Sequence, residues 1–367
     1  MSSPRLTPLH EIHEALGATF TEFAGWRMPL RYSGDAAEHN AVRTAAGLFD
    51  LTHMGEIRIS GPQAPEALDY ALVANASAIT VGRARYTMIC NAEGGVLDDL
   101  IVYRLGEQEY LVVANAANAA VVSAELAERV ARFEASHEDV SDDYALIAVQ
   151  GPKAVDILAP LTSTDLSTVK YYAGYRSEVA GADVMLARTG YTGEDGFELF
   201  TSPDDAPAVW QALADSGAEH GLRPAGLSCR DTLRLEAGMP LYGNELSAEL
   251  TPFHANLGRV VKLDKPGDFV GKAPLAAAAE KPTERTLVGL RCDQRRSPRH
   301  GYRVLDAGGA EIGVVTSGAP SPTLGHPIAM AYVDREHAEP GTALQVDIRG
   351  TAVPVEVVAL PFYRRNA

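Results

Sequence analysis

Two adjacent carboxylates, Asp98 and Asp99, have the residue type and the position most suited to chemistry in this sequence. They follow the turn-forming residues NAEGG and open the apolar stretch LIVY, which places them at the start of a predicted strand. Neighbouring side chains on a strand point to opposite faces, so only one of the pair can face a given cavity. A carboxylate between Leu97 and Leu100 is a candidate for burial, which raises its pKa and suits it to proton handling. The alternative is a pair of solvated acids beside a turn.

A second group of candidates lies in the segment YTGEDGFE, which runs from Tyr191 to Glu198. It combines an aromatic ring, glycines that free the backbone, and the acids Glu194, Asp195 and Glu198. A carboxylate accepts two parallel N–H hydrogen bonds, which suits the amidine-like edge of a pterin or a purine. The alternative is a polar loop between two strands that binds no ligand.

Arg230 is a charged residue in the predicted helix SCRDTLRLEAG. It can pair with a carboxylate or a ligand oxygen, or it can form a structural salt bridge with Asp231 or Glu236. His53 and Met54, in LTHMGEI, are more typical of core packing than of a functional site. Singly, none of these signals specifies a function.

Several well-known motifs are absent or out of context. Gly190, Gly193 and Gly196 join two predicted strands, whereas a dinucleotide or phosphate loop opens a helix after a strand. GDFVGK lacks the spacing of a P-loop, and HEIH is not the HExxH of zinc enzymes. We therefore expect the chemistry to use a bound organic carrier and no metal.

The acidic composition and the sparse cysteines limit the partners and the compartment. The net charge of -16, from 48 acidic and 32 basic residues, makes generic nucleic-acid binding unfavourable. The three cysteines form no CxxC pair, which argues against a disulfide framework and favours a reducing compartment. No signal or transit pattern and no transmembrane-length run is found. We expect a cytoplasmic protein, or a mitochondrial matrix protein only if a transit peptide precedes this numbering.

The elements that must position these residues are of two kinds. Through roughly the first three quarters helical and strand-like patterns alternate, whereas six short strands separated by Gly and Pro turns follow Thr286. This pattern predicts an α+β fold with an all-β C-terminal barrel or jelly roll. The expected domains are 1–50 with 140–250 as an α+β body, 51–139 as an inserted antiparallel β/α domain carrying Asp99, 251–285 as a connecting segment, and 286–367 as the C-terminal β-barrel.

Seven ordered segments between Phe23 and Val333 resemble the glycine cleavage T-protein family. They are FAGWRMPLRY, GLFDLTHMGEIRISG, RYTMICNAEGGVLDDLIVY, RTGYTGEDGFELF, CRDTLRLEAGMPLYGNEL, VVKLDKPGDFVGK and GVVTSGAPSPTLGHPIAMAYV. The resemblance implies three domains around a central cavity that holds folate. It also implies that Asp99 is the essential aspartate near the reacting folate nitrogens, that Glu198 holds the pterin edge, and that Arg230 contacts the folate. The other residues that it places in the pocket are Tyr86, Tyr103, Tyr191, Met54 and Asn115.

The activity that the resemblance implies is that of the aminomethyltransferase of the glycine cleavage system. A lipoylated H-protein carrier presents an aminomethyl group on sulfur, the carbon passes to tetrahydrofolate, and ammonia is released. Two other functions on the same scaffold stay open: a tetrahydrofolate-dependent demethylase of a small methylated substrate, and a non-catalytic folate-binding or iron–sulfur assembly protein. The KGCYxGQ-type motif of the assembly proteins is absent. The basic residues Arg295, Arg296 and Arg299 could recognise an acidic carrier or form a solvated turn.

Overall fold

The computed structural model describes residues 3–365 of the 367-residue chain. These residues form two compact units. The first unit contains the residues up to Ile89 together with Asp99–Arg230, and the second contains Cys90–Asp98 together with the residues from Asp231 onward.

The secondary structure mixes short helices and strands. The helices are α1 (His10–Ala15), α2 (Asp35–Thr44), α3 (Ala64–Ala71), α4 (Ala119–Val130), α5 (Ala154–Leu158), α6 (Ala206–Gly217), α7 (Leu227–Glu236) and α8 (Lys272–Ala279). The strands are β1 (Thr19–Phe23), β2 (Trp26–Arg31), β3 (Gly47–Asp50), β4 (Gly55–Ser60), β5 (Ala84–Cys90), β6 (Val96–Gly106), β7 (Glu109–Ala114), β8 (Ser136–Asp139), β9 (Ala145–Gln150), β10 (Gly174–Val179), β11 (Ala182–Ala187), β12 (Gly196–Thr201), β13 (Arg223–Pro224), β14 (Arg285–Arg291), β15 (Arg303–Leu305), β16 (Glu311–Pro320), β17 (Pro327–Asp334), β18 (Ala343–Ile348) and β19 (Thr351–Val358). None of the helices within residues 3–365 is both long enough and apolar enough to cross a membrane.

A six-stranded sheet of order β10-β11-β12-β9-β3-β13 forms around the most apolar strands of the first unit. Every residue of β9 and of β12 is buried, as expected for strands in the middle of a covered sheet. Ile147 of β9 and Leu199 of β12 belong to the same core as Trp210 of α6. This sheet fixes the position of Glu198, which lies on β12.

A five-stranded sheet of order β5-β6-β7-β4-β8 carries the other predicted carboxylate. Along β6, Leu100 and Val102 are buried whereas Asp99 and Ile101 are partly accessible. Because side chains alternate along a strand, Asp99, Ile101 and Tyr103 share one face of the sheet. The sequence pattern of β6 therefore decides which of the two adjacent acids faces the candidate site.

The second unit contains a closed barrel of strand order β14-β17-β16-β15-β18-β19. Strand β14 pairs with both β17 and β19, which closes the ring and leaves none of these six strands with an open edge. Apolar side chains such as Leu290, Val315 and Val333 fill the interior. The predicted α+β class and the six predicted C-terminal strands are confirmed, and the strands form a closed barrel.

The segment 251–285, predicted only as a connection, contains the helix α8. This helix is short and rich in alanine, and Leu275 is its single buried side chain, so its sequence shows little of the amphipathic pattern that predicts a helix. The three-domain arrangement and the predicted domain boundaries stay predictions.

Candidate active site

The carboxylate of Asp99 receives hydrogen bonds from side chains of the neighbouring strands. The hydroxyl of Tyr86, on β5, donates to Oδ2 at 3.0 Å. The amide Nδ2 of Asn115, directly after β7, donates to Oδ1 at 2.9 Å and to the backbone carbonyl of Asp99 at 3.0 Å. Because β5 and β7 flank β6, three adjacent strands fix the orientation of a single carboxylate.

Burial makes Asp99 a weaker acid than usual. It raises the pKa of Asp99 from 3.8 to about 6, against the opposing effects of the hydrogen bonds from Tyr86 and Asn115 and the positive charge of Arg230. Its neighbour Asp98 is fully buried, in agreement with strand alternation. A carboxyl group with a pKa near 6 changes its protonation state close to neutral pH, which suits proton handling.

Glu198 is held by a chain of hydroxyl groups. The Thr189 hydroxyl donates to Oε2 of Glu198, and the Tyr103 hydroxyl lies 2.8 Å from Thr189 Oγ1, where it can donate in turn. Burial raises the pKa of Glu198, while Thr189, the charge of Arg230 and Tyr103 lower it in that order. These two hydroxyl groups link Tyr103, on β6 of the five-stranded sheet, to Glu198, on β12 of the six-stranded sheet, so both sheets position this carboxylate.

Arg230, on α7, lies within electrostatic reach of both carboxylates. Its charge lowers the pKa of Asp99 and of Glu198, and its guanidinium carbon is 4.5 Å from the ring centroid of Tyr191. The ring face of a tyrosine attracts a cation at this distance. Arg230, Tyr191 and Glu198 also line a pocket, whose other walls are Phe49, Leu51, Ala148, Gln150 and Thr192.

The other two acids of the segment from Tyr191 to Glu198 have structural partners. Glu194 forms an ion pair with Arg43 at 2.8 Å, and both side chains are buried. Asp195 accepts two hydrogen bonds from Arg188, at 3.0 and 2.5 Å. Glu194 and Asp195 therefore hold the loop in place, and Glu198 is the carboxylate of this segment that lines the pocket.

The acids that offered Arg230 a structural salt bridge are bound to other groups. Asp231 pairs with Arg234 at 2.7 Å. Glu236 accepts hydrogen bonds from the hydroxyl groups of Ser321 and Thr323.

His53 and Met54 occupy the turn between β3 and β4. His53 is buried, and burial together with the charge of Arg230 lowers its pKa to about 3, so the imidazole is neutral at physiological pH. Met54 is partly accessible, and its N–H donates to the carbonyl of Leu51 at 3.0 Å. Within the described residues no hydrogen bond or ring contact links Met54 to the other candidates, and its place in the pocket stays a prediction.

The structure brings three further residues to this region that the sequence did not identify. Thr189 orients Glu198 through its hydroxyl group. It lies in the segment RTGYTGEDGFELF but was not predicted as a site residue. Glu56, on β4, is almost completely buried, and its two side-chain oxygens find no hydrogen-bond partner within residues 3–365. Burial raises the pKa of Glu56 well above its usual value, and the charges of Asp139 and Glu198 add to this effect. The third residue is Tyr172, whose pKa is raised by burial and by nearby charges that include Glu198 and Asp99.

Metal-ligating side chains do not gather in the part of the chain that the structure describes: no group of three or more His, Cys, Asp or Glu residues there is placed to hold a metal ion. The expectation that the reaction uses no metal stays a prediction.

Comparison with known proteins identifies the family. The model of the GCVT N-terminal domain matches residues 9–265, and that of the glycine cleavage T-protein C-terminal barrel domain matches residues 285–364. An aminomethyltransferase of Saccharopolyspora erythraea is 98% identical over 367 residues, covering 100% of both chains, and one of Streptomyces avermitilis is 64% identical, covering 100% of this chain and 99% of the relative. The crystal structure of the glycine cleavage system aminomethyltransferase T from Bartonella henselae, 38% identical, superposes with a TM-score of 0.92 over 98% of each chain.

An α+β unit with two positioned carboxylates, together with a closed C-terminal barrel, is thus the architecture of a one-carbon transferase. The chain belongs to the glycine cleavage T-protein family. Its function is that of a glycine cleavage system aminomethyltransferase. The family, the fold class and the enzymatic activity predicted from the sequence are confirmed.

Proposed function

We propose that the chain transfers the carbon of an aminomethyl group from the dihydrolipoyl arm of a carrier protein to tetrahydrofolate. The carbon–sulfur bond and the carbon–nitrogen bond to the leaving ammonia break, and two carbon–nitrogen bonds to the folate form. The two protons displaced from the folate nitrogens end on the sulfur and on the ammonia. Family membership supports this reaction, and the observation that carries it is the partly accessible Asp99 carboxylate held by Tyr86 and Asn115.

In this proposal Asp99 is the catalytic residue. With a pKa of about 6 it is mostly ionised at pH 7, so it supplies a negative charge beside the positive charge that develops on the transferred carbon. The same carboxylate can accept a hydrogen bond from a folate amine and orient it toward that carbon. Because its surroundings are poorly solvated, both interactions are stronger than they would be in water.

Glu198 and Arg230 are proposed to bind the folate. A pterin presents adjacent N–H donors, which a fixed carboxylate such as Glu198 can accept as a pair. Arg230 lies near both Glu198 and Asp99, where it can contact a ligand oxygen. Tyr86, Tyr103 and Tyr191 supply the aromatic walls, and Met54 and Asn115 complete the set of proposed pocket residues.

The decisive experiment is an ammonia-release assay with aminomethylated lipoyl carrier protein and tetrahydrofolate. We expect ammonia and 5,10-methylenetetrahydrofolate to appear together, and only when both substrates are present. An enzyme that releases no ammonia from the carrier, but moves a methyl group from a small donor to tetrahydrofolate, would instead be a demethylase.

For the carrier, we propose a docking site on the barrel. A cavity of about 410 Å³ there is lined by Arg295, Arg296, Ser297, Arg299, Tyr302, Pro320, Ile348 and Arg349. In the part of the chain that the structure describes, Arg295, Arg296 and Arg349 have no carboxylate at ion-pair distance. The rest of this protein, with a net charge of -16, repels an acidic carrier protein. The basic surface would attract the carrier and so direct it to the barrel.

Charge reversal tests this docking site. We expect Arg296→Glu to raise the KM for the carrier about tenfold at low salt, with a smaller effect as the ionic strength increases. Lys281→Glu makes the same charge change at an exposed residue that does not line the cavity, and it serves as the control. Equal KM values for the two variants would remove the barrel cavity as the docking site.

We also propose a division of the chain into domains: 1–50 with 140–250, then 51–139, then the connecting segment 251–285, and finally 286–367. The separate six-stranded and five-stranded sheets of the first unit, and the barrel with its own core, support this division. A cytoplasmic location is proposed on the basis of the bacterial relatives.

A further inference from the structure

The fully buried side chain of Glu38, on α2, binds the backbone of two segments that are far apart in the sequence. Its Oε1 accepts hydrogen bonds from three successive N–H groups, those of Tyr32, Ser33 and Gly34, at 2.7, 2.8 and 3.0 Å. Its Oε2 accepts a fourth bond, from the N–H of Gly226 at 3.0 Å. A carboxylate has enough lone pairs for four such bonds, and these bonds offset the cost of burying it.

The bond to Gly226 fixes the beginning of α7. Gly226 directly precedes this helix, and its carbonyl accepts a hydrogen bond from the N–H of Arg230 at 3.1 Å. The carboxylate of Glu38 is therefore connected to the backbone of Arg230 through a single residue. Because the first N–H groups of a helix have no partner within it, the groups bound at this end determine where the helix begins.

A close backbone approach at Gly226 holds the same two segments together. A Cβ atom at this position would overlap the carbonyl oxygen of Leu30, near the end of β2. Glycine permits such an approach because it has no side chain. The end of β2 and the start of α7 are thus held against each other by one carboxylate and one glycine.

Arg230 is the part of this arrangement that reaches the pocket. Its side chain lines the pocket, and its guanidinium carbon lies 4.5 Å from the ring centroid of Tyr191. Glu38 is not among the pocket-lining residues in the described part of the chain. A displacement of the first turn of α7 would therefore move Arg230 relative to the ring and to the pocket.

We propose that Glu38 is a positioning residue, which holds the first turn of α7 so that Arg230 faces the bound folate. The inference rests on the proposed function, because it needs Arg230 to bind the folate. A purely structural role for Glu38 would predict a loss of stability alone. A positioning role predicts in addition a loss of folate affinity that depends on the side chain of Arg230.

Glu38→Gln tests the connection to α7 with little change in side-chain size. The amide oxygen can keep the three bonds near the end of β2, whereas the amide nitrogen would present a donor to the N–H of Gly226. We expect tetrahydrofolate binding to weaken about three- to tenfold in calorimetry. The KM for tetrahydrofolate should rise by a similar factor, and the KM for the carrier protein should stay unchanged. Wild-type affinity in the folded variant would overturn the proposal.

A double-mutant cycle separates positioning from a general loss of stability. In an Arg230→Ala background, Glu38→Gln should change the affinity by less than about twofold, because the group that it positions is absent. Losses that add in full would refute the proposal. If Arg230→Ala alone leaves the affinity unchanged, the proposed role of Arg230 fails, which is a different result from a failure confined to Glu38.

Asp69 provides a matched control. It lies on α3, accepts hydrogen bonds from the N–H groups of Ala76 and Ser77 at 2.5 and 3.0 Å, and is not one of the pocket-lining residues. Asp69→Asn should lower the thermal unfolding midpoint and leave the tetrahydrofolate affinity unchanged. Equal losses of affinity in Asp69→Asn and Glu38→Gln would show that the effect is general and would overturn the proposal.

Glu38→Asp keeps the test informative if Glu38→Gln does not fold. It retains both carboxylate oxygens, but a side chain that is one carbon shorter cannot reach both segments at hydrogen-bond distance. We expect a loss of tetrahydrofolate affinity that again disappears in the Arg230→Ala background. A folded Glu38→Asp protein with wild-type affinity would refute the proposal.

Discussion

Replacing Asp99 with asparagine separates the shape of this side chain from its charge. Asparagine keeps the side-chain volume and can still accept a hydrogen bond from Asn115. It cannot ionise, and so it cannot provide the negative charge that the proposed reaction needs. We therefore expect Asp99→Asn to bind tetrahydrofolate and to lose most of its transfer activity.

The same substitution should stabilise the folded protein at neutral pH. Burial raises the pKa of Asp99 from 3.8 to about 6, and each pKa unit corresponds to about 1.4 kcal/mol, so the ionised group costs the folded state about 3 kcal/mol. Lost hydrogen-bond strength with Tyr86 reduces the expected gain to about 1–3 kcal/mol. This gain is a consequence of placing a charge where the reaction requires it.

The stability difference between Asp99→Asn and the wild type should depend on pH. Because the pKa of Asp99 is higher in the folded state, the wild type binds this proton more tightly when folded, and the resulting stabilisation is complete below about pH 4. It is lost as the pH rises from about 4 to about 6. The stability advantage of Asp99→Asn should therefore be absent near pH 4 and reach its full value above about pH 7.

Urea unfolding of both proteins between pH 4 and pH 8 measures the stability difference, and ammonia release measures activity. In the wild type the ionised fraction of Asp99 is about one tenth at pH 5 and about nine tenths at pH 7, so kcat should rise about tenfold between them. Wild-type turnover by Asp99→Asn would refute its catalytic role. A stability difference that does not change with pH would refute the raised pKa.

Three further substitutions test other buried groups. Glu56→Leu should raise the free energy of unfolding by about 1–3 kcal/mol at pH 7, because it removes a buried carboxyl group whose oxygens find no hydrogen-bond partner within residues 3–365. The gain should shrink toward pH 4, because the raised pKa of Glu56 in the folded state stabilises the protonated wild type there, and urea unfolding at both pH values measures the difference. Glu198→Gln should weaken tetrahydrofolate binding at least about tenfold in calorimetry, because a neutral amide cannot accept two N–H bonds as a carboxylate does, and unchanged affinity would count against the pterin assignment. Glu245→Gln should lower the free energy of unfolding by about 1–3 kcal/mol, because Arg234 loses the charge of its buried partner at 3.1 Å but keeps its ion pair with Asp231; a loss below about 1 kcal/mol would contradict this view of the pair.

Local sequence patterns predicted the parts of the fold that depend on neighbours along the chain. Alternation in LDDLIVY placed one of two acids on the site face, and the structure shows Asp98 buried and Asp99 bound by Tyr86 and Asn115. The six barrel strands were predicted for the same reason, since Gly and Pro turns separate short alternating runs. The roles of the site residues came from the family resemblance, because strand alternation by itself names no chemistry.

Contacts between distant residues decided what the sequence left open. Which acid of the segment from Tyr191 to Glu198 lines the pocket depends on Arg43, whose ion pair with Glu194 joins residues far apart in the chain. The sequence does not signal the left-handed backbone of Tyr172, because glycine and asparagine are the residues that commonly adopt this conformation and position 172 holds a tyrosine. Both features follow from tertiary structure that no local pattern records.

The closure of the barrel has a consequence for the order of folding. The pairing of β14 with β19 joins Arg291 to Glu356, which are 65 residues apart, whereas the hairpin β16–β17 turns within the six residues between Pro320 and Pro327. Ordering a long intervening chain costs more conformational entropy than forming a short turn. We therefore expect the hairpin to form early and ring closure to limit the folding rate.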